Sequence, residues 1–107
     1  MKIELFYFDG CPSWQKGLEN LELALQAEGL AVPVETVKVN DNGDANRLKF
    51  LGSPSFRIDG HELWPEEREN YSLSCRIYST PEGLIGFPSV GMLRKALSKF
   101  KQTSDHK

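Results

Sequence analysis

The chain has 107 residues, of which 39% are apolar and 26% charged, with a formal net charge of −2. That length holds one domain, and the composition excludes wholesale disorder. Lys and Arg number 13 against 15 Asp and Glu, without a long basic run, which excludes an electrostatic nucleic-acid binder.

Ile3 to Phe8 is nearly all apolar, which predicts a strand buried on both faces. It lacks the long apolar stretch and cleavage site of a signal peptide, and no run reaches membrane-span length, so a cytoplasmic location is expected. Asp9-Gly10 breaks the strand, and Cys11-Pro12 opens a helix, because proline suits the first helical position. Apolar residues at 14, 18, 21 and 25 form one face of that helix, and Gly29 stops it. Val32 to Val39 reads as a second strand. Asn40-Asp41-Asn42 supplies N-caps for a short helix through Phe50, with Ala45, Leu48 and Leu51 on one side.

Pro54 to Asp59 alternates, with Phe56 and Ile58 on one face and Ser55 and Arg57 on the other. It reads as a third strand closed by the Asp59-Gly60 turn. The polar stretch 61–72 reads as a loop or irregular insertion. Leu73 to Ser79 reads as a fourth strand with Leu73, Cys75 and Ile77 on one face. Thr80 to Gly83 is a turn, and Leu84 to Gly86 a short return strand. Ser89 caps a last helix with the face Val90, Leu93, Leu97 and Phe100. The domain is assigned to residues 1–100 and a frayed polar tail to 101–107. The order βαβα then ββα implies an α/β domain with a mixed central sheet and helices on both faces.

Two cysteines, Cys11 and Cys75, carry the chemistry. A chain of this size buries a core without disulfide staples, and two cysteines are too few for an all-cysteine zinc site. No metal site or cofactor is expected. A mixed Cys11–Cys75–His61 site matches no standard zinc spacing, and His106, the other histidine, lies in the tail. Cys11 follows a buried strand at a predicted helix start, where free N–H groups and the helix dipole favour a thiolate. Asp9 opposes this if it is ionised nearby. The alternative is a buried, inert thiol.

The segment Cys11-Pro12-Ser13-Trp14 after strand one, Ser53-Pro54 before strand three, and Ile85-Gly86-Phe87-Pro88-Ser89 with Gly91-Met92-Leu93 before the last helix resemble the thioredoxin superfamily. The match covers roughly residues 3 to 100 of the chain. The resemblance implies a thioredoxin-like fold with Cys11 as nucleophile. Pro54 would take the family's cis-proline place, and Ser53 would present its backbone to a substrate. Asp9-Gly10-Cys11-Pro12 and Leu73-Ser74-Cys75-Arg76 are also similar to segments of small bacterial thioredoxin-like proteins, sometimes labelled as related to alkylmercury lyase. Trp14 stands where dithiol members have their resolving cysteine, so a Cys-x-x-Cys disulfide is excluded. Trp14 reads first as a core aromatic and second as a wall of the substrate groove beside Pro12.

Cys75 then decides the mechanism, and the sequence leaves two placements open. If the chain passes from Asp59-Gly60 directly into the next sheet strand, Cys75 lies at the far end as a buried hydrophobe. A strand of about five residues spans roughly 17 Å, beyond disulfide reach. If 61–72 carries the chain back across the domain, Cys75 comes near Cys11 as a resolving thiol, with Arg76 helping to ionise it. The turn at 80–83 and the connector length favour the second placement.

The expected function is thiol-disulfide exchange with a protein or small-molecule partner. The alternatives are thiolate binding of a soft metal ion such as mercury, and a non-catalytic interaction module. No nucleic acid or membrane partner is expected. Monomer and edge-strand dimer stay equally open.

Overall fold

The computed structural model describes residues 1–105. Strand β1 (Ile3–Tyr7) lies inside a four-stranded sheet. It pairs in parallel with β2 (Val34–Lys38) and antiparallel with β3 (Ser55–Ile58). Strand β4 (His61–Glu62) pairs antiparallel with β3, giving the order β2-β1-β3-β4. Three helices accompany the sheet: α1 (Trp14–Ala27), α2 (Asn42–Leu48) and α3 (Val90–Asp105). Strands β5 (Tyr78–Thr80) and β6 (Gly83–Ile85) form a separate hairpin. The chain is thus a small α/β domain with a mixed sheet.

Alternation along β1 and β3 divides the core between the two faces of the sheet. Ile3 and Leu5 lie opposite Ile58 and Phe56 and pack against Leu21, Ala24 and Leu25 of α1 and Leu93 and Leu97 of α3. Phe6 points the other way and packs with Val39, Ala45 and Phe50 around α2. The Arg57 guanidinium, on that same face, lies 4.2 Å from the centre of the Phe6 ring. The predicted stripes of α1 and α3 are therefore the ones that face the sheet.

The caps follow the sequence in part. Asp41 accepts the Asp44 N–H at 2.8 Å at the start of α2. Ser89 accepts the Met92 N–H at 3.1 Å at the start of α3. Helix α3 continues to Asp105, into the stretch assigned to the tail. His106 lies outside the described residues.

Two differences from the sequence reading matter for the site. First, Asp59 and Gly60 both have positive φ, 51° and 84°, as a tight two-residue hairpin turn needs. The stretch expected to be a loop from residue 61 therefore begins with a strand, β4. Second, Leu73–Ser79 does not join the central sheet. Both edges of β3 are already taken, by β1 and β4. Only one isolated parallel bridge forms there, between Ser53 and Cys75, and regular pairing resumes at Tyr78. The expected inward face is also reversed: Tyr78 is buried, whereas Ile77 is 61% exposed.

Candidate functional site

Beyond β1 the chain turns at Asp9–Gly10, and the Cys11 N–H closes that turn on the Phe8 carbonyl at 3.1 Å. The Asp9 carboxylate pairs with Lys38 Nζ at 2.7 Å. That hydrogen bond, and then the charge behind it, raises the Lys38 pKa. Helix α1 starts at Trp14 with Ser13 as N-cap, so Pro12 precedes the helix instead of opening it. Cys11 stands ahead of the cap and not within the first turn. What surrounds Cys11 is protein: the residue is 4% exposed. Its thiol donates to the Ser53 carbonyl at 3.4 Å.

Ser53 is the hub of the site. Its peptide bond to Pro54 is cis. The Ser53 N–H donates to Ser74 O at 2.8 Å, and the Ser53 carbonyl also accepts the Arg76 N–H at 3.0 Å. These two bonds form the parallel bridge that holds Cys75 against Ser53. The backbone groups expected to face a substrate are therefore bonded within the chain. Ser53 Oγ is buried with no hydrogen-bond partner. Gly52 makes the close approach possible: its φ is +112°, and a Cβ there would lie 3.0 Å from Arg76 Cβ and 3.2 Å from Arg76 N. The buried Tyr78 hydroxyl ties the hairpin to the same loop, donating to Pro54 O at 2.6 Å. Burial drives the Tyr78 pKa far above its ordinary value of 10.0.

Cys75 is thus brought to Cys11 from the opposite half of the chain. Both are free thiols, Cys11 buried and Cys75 exposed. The Cys75 thiol pKa is raised above its ordinary value of 9.0. Partial desolvation of the sulfur contributes most even though the residue is exposed. The neighbouring Cys11 charge and a side-chain hydrogen bond with Cys11 add to it. Arg76 does not ionise this thiol, contrary to the expectation from its position in the sequence. Its guanidinium donates to the Trp64 carbonyl, sits 3.7 Å from Glu62 and lies 5.2 Å from the centre of the Tyr78 ring. Burial in turn raises the Glu62 pKa, against the pull of Arg57 and Arg76.

Trp14 is half-buried and stacks on Tyr7, with ring centres 4.0 Å apart. It belongs to the periphery of the core, in line with the first of its two readings. His61 pairs with Ile58, which lies opposite Ile3 at the start of β1, whereas Cys11 follows the end of that strand. The mixed Cys11–Cys75–His61 site is therefore not assembled. Among the described residues no group of three or more His, Cys, Asp or Glu is placed to hold a metal ion. None of their helices is long and apolar enough to cross a membrane.

Sequence reasoning missed Tyr78 as an anchor and Ser74 and Arg76 as the partners of Ser53. The bulky aromatic at 78, out of step with 73, 75 and 77, was the available signal for the reversed face. The Ser74 and Arg76 contacts use backbone atoms, which carry no residue-specific signal. No family model, curated protein or solved structure matches the chain.

Proposed function

We propose that the chain is a thioredoxin-like thiol protein in which Cys11 and Cys75 pass between dithiol and disulfide forms. One observation carries the reading: the only two cysteines of the chain, from opposite halves of it, meet as free thiols beside the cis Ser53–Pro54 bond. A second cysteine reaching Cys11 through space replaces the missing partner at Trp14. The mixed sheet and the cis-proline beside the thiol support the thioredoxin-like fold. Thiol-disulfide exchange needs a thiolate and a second sulfur within reach, and this arrangement supplies both on ionisation.

Mild oxidation with diamide followed by titration of free thiols in denaturant tests this. The expected result is loss of both thiols within a monomer, with turnover of a small disulfide that disappears in Cys11→Ser. Two titratable thiols after oxidation, or disulfides only between chains, would overturn it. The same two sulfurs also favour a second reading, capture of a soft ion such as Hg(II), for which two thiolates suffice. That reading expects one ion per chain and no turnover of a small disulfide.

A further inference from the structure

A dithiol pair has an order: one sulfur meets the substrate and the other displaces it. The sequence puts Cys11 first, but the fold shields it. Cys11 is 4% exposed, its thiol proton is directed at the Ser53 carbonyl, and the segment 74–76 lies along Ser53 beside it. Cys75, on the segment beside Ser53, is the exposed cysteine of the two. Ile77, two residues further on, is likewise exposed, while Tyr78 turns inward.

Building on the pair reading above, we infer that Cys75 is the sulfur that bears the substrate and Cys11 the one that resolves the adduct. Cys75 gives its proton to solvent, and its thiolate attacks one sulfur of a small disulfide R–S–S–R′. The bond between Cys75 and the R sulfur forms, the substrate S–S bond breaks, and R′–S⁻ leaves and takes up a proton. Cys11 then loses its proton and attacks the Cys75 sulfur. The Cys11–Cys75 bond forms, and R–S⁻ leaves and is protonated. Two electrons pass from protein to substrate, which ends as two thiols. Two molecules of an external thiol run the same steps backwards, so reduction of the protein also passes through an adduct on Cys75. Because the raised pKa of Cys75 keeps its thiolate scarce near neutral pH, the first step gains rate as the solution becomes more alkaline.

Full-length Cys11→Ser and Cys75→Ser, each incubated with glutathione disulfide and followed by intact mass, test the order. Cys11→Ser is expected to accumulate one glutathione adduct on Cys75. Cys75→Ser is expected to form its adduct at least about tenfold more slowly while folded, and at a similar rate in denaturant. Adducts forming on folded Cys75→Ser as fast as on Cys11→Ser would overturn the order. Should either variant fail to fold, limiting iodoacetamide on the wild type followed by peptide mapping replaces it. Cys75 is then expected to be alkylated first, and Cys11 alkylated first overturns the order. Diamide oxidation of the wild type separates the two levels. A wild type that forms its internal disulfide while Cys11 takes the adduct sinks the order alone. A wild type that forms no internal disulfide sinks the pair reading and the order with it.

Discussion

Cys75 carries a proton that the fold holds on to. Partial desolvation and the adjacent Cys11 both disfavour its thiolate, so its pKa lies above 9.0. The rate of Cys75 alkylation should therefore keep climbing with pH beyond the point where an ordinary cysteine levels off. A plateau at or below pH 9 in a mass-spectrometric rate profile would contradict this. The linked effect on stability has a definite sign. A thiol whose pKa is higher in the folded state stabilises the fold below the unfolded pKa, and that contribution is lost as pH rises through the folded pKa. Cys11 was legible as a candidate from its neighbours, because Gly10 and Pro12 mark the end of a buried strand. Arg76 was misleading, because adjacency in sequence does not say which way a side chain leaves the backbone. It leaves toward Glu62 and Tyr78.

At the scale of elements, the site depends on a segment that is barely an element at all. The backbone of residues 74–76 is tied by one bridge to Ser53, beside the contacts of the Arg76 side chain with Trp64 and Glu62, and Gly52 is the residue that lets the segment approach. Ala at position 52 would sit at a φ of +112° with its Cβ against the Arg76 backbone. Gly52→Ala should cost about 1–3 kcal/mol of stability. It should also slow internal disulfide formation, because the 74–76 segment must move away from Ser53. A drop in Tm with an unchanged rate of disulfide formation would break that link. The β3–β4 hairpin was legible from Asp59-Gly60, since that dipeptide favours the positive φ values of a two-residue turn. Reading the following residues as a loop let their polarity outweigh the turn. The position of Leu73–Ser79 was not legible, because whether an edge of β3 stays vacant depends on β1 and β4 together.

The whole molecule is a sheet covered on both faces, and its stability resides there. Leu97 is fully buried between α3 and the sheet, whereas Leu84 on the hairpin is 77% exposed. Leu97→Ala should cost about 2–5 kcal/mol, and Leu84→Ala less than about 0.5 kcal/mol. Urea unfolding of the two variants checks this, and equal losses would mean that the hairpin face is covered in solution.

Local chemistry was enough to place the three helices and the first three strands, though not their ends, and to give the inward faces of α1, α3 and β3. Hydrophobic period, caps and turn residues act over a few neighbouring positions and are written in them. The same local signals singled out Cys11, whereas Ser53–Pro54 was pointed to only by the resemblance to the thioredoxin superfamily. Only the tertiary structure decided that Cys75 reaches Cys11, that the proline is cis, and that the Ser53 backbone is bonded within the chain. It also decided that the exposed cysteine of the pair is Cys75. The contacts among Cys11, Ser53 and the 74–76 segment depend on parts of the chain far apart in sequence meeting at one end of the sheet. That meeting is set by which strand edges are vacant and which side chains the core can bury.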